Sequence, residues 1–424
     1  MGLTILHGMK TTDCVILGGN RSNALYPLTR ERSSCGINFA GRYRMADIAL
    51  SNAVYSGFRN IKILTSQAEP DLGEHLQKAY SFDRFAHGGV QILPHSGAGS
   101  ADALRNCWDH LVSRSPERIC LLFGDELYRM DLRELVRTHE ENHHDITLAV
   151  RPLGASEALD NSLIKLTSQG LVEQIGHPPF SQGLEEWIIP KDYQFTQQPL
   201  ERSGFYNPIG AMVFETEILE QLLKTPKANL VKDLLSQNLW DFKSGIYPFG
   251  GYWADLGTLK GFYQANLSLC TVHPPFNLYD QAMPLIFPPS FLPPAKINFG
   301  TISQVLAEEG VIVNNCTLSN SLLGPRTILE TGVVMDGVVF MGADFYEDPL
   351  TQSLNKTRGI PHLGVGKGSV LQGCIVDKNV RIGEGCRIGS DPIHRPDQDK
   401  GSWFIKDGII VLPRGTIIAS GTII

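Results

Sequence analysis

A chain of 424 residues that is 42% hydrophobic, 8% aromatic and 19% charged, with 42 glycines and 25 prolines, is long enough for about two or three domains and is neither disordered nor collagenous in composition. Its formal net charge of −7 and the lack of any basic run argue against a phosphate-backbone binder, so no nucleic-acid partner is expected. No apolar run reaches the ~18 residues of a membrane span, Met1–Lys10 shows no basic-then-apolar leader, and the scattered cysteines form no C-x-x-C pair; no membrane association and a reducing, cytoplasmic setting are expected.

From residue 12 to residue 150, short apolar strands alternate with helical patterns. Strands are expected at Cys14–Leu17, Ile61–Thr65, Arg118–Phe123 and Asp145–Val150, and helices at Tyr43–Tyr55, Ala101–Val112 and Leu132–Asn142. This alternation predicts an α/β domain with a mostly parallel sheet covered on both faces. Ligands of such sheets sit beyond the carboxyl ends of the strands. Gly18-Gly19 and Gly124-Asp125 each follow a strand, which places them on one edge. Mixed patterns continue to residue 270, with a strand at Gly210–Phe214 and a segment rich in Gly and aromatics from Tyr247 to Leu256. Prolines then cluster at Pro274-Pro275, Pro284, Pro288-Pro289 and Pro293-Pro294, the composition of a linker.

Beyond the linker the apolar period becomes six. Val305, Val311, Thr317, Leu323, Leu329, Met335 and Met341 form one run, Val370, Val376, Ile382 and Ile388 a second, and Ile405, Val411, Ile417 and Ile423 a third. That period predicts a hexapeptide β-helix, with one aliphatic per side of a triangular coil pointing inward. Evenly spaced antiparallel strands are the alternative. Asp344–His362 interrupts the period and is expected to leave the coil as a loop.

Two features at the front of the chain carry chemistry. Free backbone N–H groups in the turn after Leu17, at Gly18-Gly19, suit phosphate oxygens, although two glycines after a strand also make a plain turn. Asp125, at the end of a buried strand, and Asp255, in Gly251-Tyr252-Trp253-Ala254-Asp255-Leu256-Gly257-Thr258, are the two carboxylates that would hold Mg²⁺ against phosphates, the alternative being a turn or a helix cap.

Several separated segments resemble the ADP-glucose pyrophosphorylase (glucose-1-phosphate adenylyltransferase) family over essentially the whole chain. They are Tyr43-Arg44-Met45-Ala46-Asp47-Ile48-Ala49-Leu50-Ser51-Asn52, Gly124-Asp125-Glu126-Leu127-Tyr128-Arg129-Met130-Asp131, Gly251 to Thr258, Phe340-Met341-Gly342-Ala343-Asp344-Phe345-Tyr346-Glu347 and Ile375-Val376-Asp377-Lys378-Asn379. The last two look most like the plant and cyanobacterial branch. The resemblance implies a nucleotidyltransferase-like (Rossmann-like) domain at 1–272, a Pro-rich linker at 273–298 and a left-handed β-helix at 299–424, usually in homo- or hetero-tetramers. It implies the reaction of ATP with glucose 1-phosphate to ADP-glucose and pyrophosphate, for glycogen or starch synthesis. By resemblance, Asp125 and Asp255 are the catalytic, Mg²⁺-holding carboxylates. Leu17, Gly18, Gly19, Gly99 and Asp125 line the nucleotide, and Gly210 and Asp255 the sugar phosphate.

The chain also departs from that pattern. The family's Gly-Gly-Gly-x-Gly-Thr-Arg-Leu is here Gly18-Gly19-Asn20-Arg21-Ser22-Asn23-Ala24-Leu25, so Ala24 stands at the catalytic arginine. The lysine of Arg-Ala-Lys-Pro is Ser34, and no lysine follows Ile175-Gly176-His177-Pro178-Pro179 on the sugar side. Losing one preorganised charge donor typically costs about 10²–10³ in rate. Arg21 and Arg30 are the nearest candidate substitutes. By contrast, positions where the plant-like enzymes bind anionic effectors keep Arg32, Arg44, His75, Arg326, Lys378 and Arg414. Loss at the reacting centre with retention at the effector positions predicts a regulatory subunit of low activity, partnered by a catalytic paralogue. An active sugar-phosphate nucleotidyltransferase of altered substrate is the alternative. A hexapeptide acyltransferase is a third reading, for which no histidine is placed as general base on a coil.

Overall fold

A computed structural model describes residues 11–19, 24–66, 69–80, 89–180, 183–193, 204–236, 239–389 and 396–424. The chain divides into two compact units, residues 1–20 with 46–253, and residues 21–45 with 254–424.

The first unit is built on a seven-stranded sheet of β1 (Thr12–Leu17), β2 (Asn60–Thr65), β3 (Gly89–Pro94), β4 (Arg118–Phe123), β5 (Ile146–Leu153), β6 (Phe205–Glu215) and β7 (Ser244–Pro248). The spatial order is β7-β5-β6-β4-β1-β2-β3. All neighbours run parallel except β6, which is antiparallel to both β4 and β5. Every residue of β1 is buried, the expected state of a central strand covered on both faces. Val15, Leu17, Ile119 and Leu121 face a core shared with Leu104, Leu111 and Leu234.

The flanking helices are α1 (Met45–Tyr55), α2 (Pro70–Ala79), α3 (Ser100–Asn106), α4 (Trp108–Leu111), α5 (Leu132–Glu141) and α6 (Thr216–Leu223). The single helix expected over Ala101–Val112 is two, broken where Cys107 leaves helical geometry at φ −105°, ψ 5°. The helix expected from Tyr43 starts at Met45, because Tyr43–Arg44 pairs as a strand with Asn38–Phe39. Strand β6 is longer than expected and carries Pro208 at a register shift against β5. His144 is half-buried and hydrogen-bonded to Thr147 Oγ1 at 3.0 Å, whereas His143 beside it is exposed.

The second unit is a parallel β-helix. Three apolar columns run along its inside in ladder register: Val313, Leu329, Val365, Ile382 and Ile418; Leu318, Met335, Leu371 and Ile388; and Leu323, Phe340, Val376 and Leu412. Thr317, Ile417 and Ile423, expected to point inward, are exposed, and Leu318, Ile418 and Ile424 fill the interior instead. Asp344–His362 leaves the coil and carries helix α8 (Pro349–Thr357), while α7 (Leu259–Ser268) precedes the β-helix. The carboxylate of Glu347 anchors the excursion, accepting from Arg381 Nη1 at 2.6 Å, Asn355 Nδ2 at 2.7 Å and Leu363 N at 2.8 Å. Ile405, expected on a coil, lies in an antiparallel hairpin with Ile409–Leu412. Residues 24–45 join this unit through the Tyr26–Phe404 ring contact and the Arg42–Glu308 ion pair at 2.5 Å. No described helix is long and apolar enough to cross a membrane, and all eight cysteines are free and buried.

Candidate functional site

At the carboxyl edge of the sheet, Leu17 lies level with Phe123 in the β1–β4 ladder, and Gly124 N–H donates to Leu17 O at 3.0 Å. The turn after β1 and Asp125 after β4 therefore share one edge, as the strand ends predict. Leu17, Gly18, Gly19, Gly99, Asp125 and Gly210 all line one cavity of about 350 Å³ in the first unit. Asp255 belongs to the second unit, where it is exposed and its Oδ1 accepts from Gly257 N–H at 2.7 Å. Asn20–Asn23, including Arg21, lie outside the described residues. Ala24 is half-buried and Ser34 fully buried, both in the second unit.

Two of the glycines owe their identity to the protein's own backbone. A Cβ on Gly18 would sit 2.6 Å from Leu64 O, and one on Gly99 would sit 2.3 Å from Ala228 O. Close packing accounts for both, with no phosphate needed to explain them.

The cavity also holds residues that motif spacing does not reveal. His95, Phe123, Glu126, Ser162, Asn229 and Lys232 all line it, and His177 joins them. Burial lowers the pKa of His95, with Asp102 opposing, and its Nδ1 accepts from Gly97 N–H at 3.1 Å. Burial and then the Lys232 charge lower that of His177, whose Nδ1 and Nε2 bridge Ser162 Oγ at 2.8 Å and Ser236 Oγ at 3.0 Å. Both imidazoles are therefore neutral near pH 7. Lys232 is the single cationic side chain among the described residues of this lining, which also holds the carboxylates of Asp125 and Glu126. Glu126 is 8% exposed and engaged, accepting from Gly210 N at 2.8 Å and Trp253 Nε1 at 2.9 Å.

Among the described residues, no three His, Cys, Asp or Glu side chains gather as a metal site. Mg²⁺ bound through substrate phosphates asks less, one or two carboxylates being usual, and Asp125 fits that demand.

Five of the six expected effector cations fall in the second unit and one, His75, in the first. Arg32 is buried and pairs with Asp377, with 2.8 Å to each carboxylate oxygen. Its Nε and Nη1 have no partner among the described residues, and it lines a hollow of about 20 Å³ with Arg30, Glu31 and Arg414, room for a single water. Lys378 Nζ and Arg414 Nη2 share Asp344, at 2.6 Å and 2.8 Å. Burial, followed by the charge of Arg44, lowers the pKa of Lys378. Arg44 Nη1 donates to Gly36 O at 2.6 Å and Asn38 Oδ1 at 2.9 Å. Arg326 sits 6.0 Å from the Tyr346 ring centroid. His75 Nε2 meets Asp47 Oδ2 at 2.8 Å.

Burial would raise the Asp344 carboxyl, but the charge and hydrogen bond of Lys378, with Asn379 and Arg414, outweigh it and hold the pKa at about 2, against an ordinary 3.8. A depressed folded pKa gives stability that is complete above the unfolded value and lost as pH falls through the folded one. Asp344→Asn is therefore expected to flatten the acid limb of stability between pH 3.8 and about 2, measured by denaturant titration at stepped pH. An unchanged acid limb would remove Asp344 from this role.

A mostly parallel sheet with a ligand-sized cavity at its carboxyl edge is the arrangement in which open α/β domains bind their ligands. Residues 13–272 match the family model for nucleotidyl transferases, and residues 290–423 match that of the GLGC left-handed parallel beta-helix domain. The chain belongs to the nucleotidyl transferase family, and the pairing of these two domains marks it as a member of the ADP-glucose pyrophosphorylase family.

Proposed function

We propose that this chain is a regulatory member of its family, with little or no turnover of ATP and glucose 1-phosphate on its own, acting in a tetramer with a catalytic paralogue. The observation that carries the reading is the charge of the cavity: among its described lining residues Lys232 is the one Lys or Arg, beside the carboxylates of Asp125 and Glu126, and burial disfavours the charged forms of His95 and His177. Phosphoryl transfer depends on preorganised positive charge around the phosphates. The replacements at Ala24 and Ser34 support the same reading. Asp125 is the carboxylate of the first unit proposed to hold Mg²⁺, which when bound would neutralise phosphate charge. Arg32, Arg44, Arg326, Lys378 and Arg414 of the second unit are proposed for an anionic, phosphate-bearing effector, which would have to compete with Asp344 for Lys378 and Arg414.

The test is ADP-glucose synthesis by the purified chain with ATP, glucose 1-phosphate and Mg²⁺, with and without sugar-phosphate effectors. The expected rate lies at least ~10²-fold below the usual range of about 1–10³ s⁻¹. A rate inside that range overturns the proposal. The retained cavity and Asp125 favour one second reading, turnover of a different nucleotide or sugar phosphate, which the same assay with other nucleoside triphosphates would expose.

A further inference from the structure

We infer that the first unit carries a second chemistry, in which Ser162 is a nucleophile activated by His177 and takes the acyl group of a small carboxylic ester. The inference does not depend on whether the chain makes ADP-glucose.

A hairpin of Leu163–Leu166 and Val172–Gly176 brings the pair together. Leu163 lies opposite Gly176 in its antiparallel register, so Ser162 and His177 are the next residues out on the two strands. Ser162 Oγ stands 2.8 Å from His177 Nδ1, and both residues line the cavity. The backbone under the serine is held, because its carbonyl accepts from Asn207 Nδ2 at 2.9 Å.

The direction of the protons follows from the far side of the ring. Ser236 Oγ donates its one hydrogen to Val231 O at 2.9 Å, a carbonyl of the π-helical turn Leu230–Leu235. Toward His177 Nε2, at 3.0 Å, the Ser236 hydroxyl is therefore the acceptor. With its proton on Nε2, the neutral ring presents Nδ1 as an acceptor, and the Ser162 hydroxyl donates to it. A nucleophile, a base and a third group that fixes the base are the parts of an activated serine. Here the third group is a hydroxyl in place of the usual carboxylate. Burial and the Lys232 charge keep the imidazole unprotonated near pH 7, the state in which it can take a proton.

Phe123, Ile209, Met212 and Val231 line the same cavity and suit a short acyl chain. The step balances without a cofactor. Ser162 Oγ bonds to the ester carbonyl carbon while its proton passes to His177 Nδ1. The carbonyl oxygen takes the electron pair of its π bond, and Lys232, whose charge reaches His177, is the cation of the described lining available to it. The C–O bond to the alcohol then breaks, and the alcohol leaves with the proton from Nδ1. Water repeats the sequence on the acyl-serine, which releases the acid and restores Ser162.

The test treats the full chain with an alkyl fluorophosphonate and, separately, with p-nitrophenyl acetate. The fluorophosphonate is expected to label Ser162, as located by peptide mass spectrometry, and the ester to be hydrolysed. His177→Gln keeps an acceptor for Ser162 and a donor for Ser236 but no base. It should slow both reactions about 10²–10⁴-fold with melting temperature and circular dichroism unchanged. Ser236→Ala releases the ring and should be intermediate. Ser162→Ala should abolish the label, and Ser168→Ala, at an exposed serine, should leave it as in wild type. No label, a label elsewhere than Ser162, or equal rates in wild type and His177→Gln would each overturn the inference and leave the bridge a structural one. A label on Ser162 without ester hydrolysis would overturn the assignment of an ester as substrate.

Discussion

Replacing Asp377 by asparagine is expected to destabilise the second unit by about 3–5 kcal/mol, because it strands a buried guanidinium. Arg32 is 8% exposed and Asp377 2%, and the two carboxylate oxygens are its charged partners at 2.8 Å. Arg32 Nε and Nη1 are buried and meet no acceptor among the described residues. Lys378 lies close enough to feel the charge of both Arg32 and Arg44, so removing the Asp377 charge leaves Asp344, which Lys378 meets, to offset a larger excess of positive charge. In a unit of this size the loss corresponds to roughly 6–20 °C in melting temperature. The double variant Arg32→Met, Asp377→Asn separates the charge from the shape. It removes both charges yet keeps an acceptor for Lys378 N, which Asp377 Oδ1 now holds at 2.7 Å. Incompletely satisfied buried pairs are often no better than apolar replacements, so the double variant is expected to recover most of the loss. Denaturant midpoints of the three proteins decide the matter. A single variant within about 0.5 kcal/mol of wild type, the range of an ordinary surface change, would mean that water reaches Arg32.

The same pair shows what sequence reading reaches and where it stops. Strand ends were legible because β1 and β4 are continuous apolar runs followed by Gly18-Gly19 and Gly124-Asp125, and those turns do line the cavity. Cations at Arg32, Lys378 and Arg414 were legible as cations, but their partners Asp344 and Asp377 acquire meaning only when the coils stack them there. The β-helix was legible from its period and its register was not. Leu318 and Leu323 stand five apart and Leu323 and Leu329 six, so a strict count of six drifts off the inward face at Thr317 and again at Ile417. Lys232 was invisible for a different reason. Arg105 holds Leu223 O and Thr225 O, upstream of Lys232 and more than 100 positions away in sequence, and no local pattern encodes such a contact.

The carboxylate of Glu126 is expected to matter to the first unit much as Asp377 does to the second, and Glu126→Ala should cost about 2–5 kcal/mol by leaving two donors unmatched. Gly210 N–H meets both of its oxygens, at 2.9 Å and 2.8 Å, and Trp253 Nε1 donates to the second at 2.9 Å. Arg151 lies over the same indole, 4.6 Å from its centroid, and its Nε donates to Asn207 Oδ1 at 3.0 Å. Glu126 therefore ties β6 to the indole beneath Arg151, at a glycine that lines the ligand cavity. Glutamine in its place offers one acceptor oxygen and an NH₂ that would face a donor, so Glu126→Gln should be intermediate rather than silent. Trp253 reports locally: its emission should shift in both variants under conditions where far-UV circular dichroism is unchanged. Loss of stability without any change in that emission would place the damage elsewhere. Full stability in Glu126→Ala would mean that water takes over both donors.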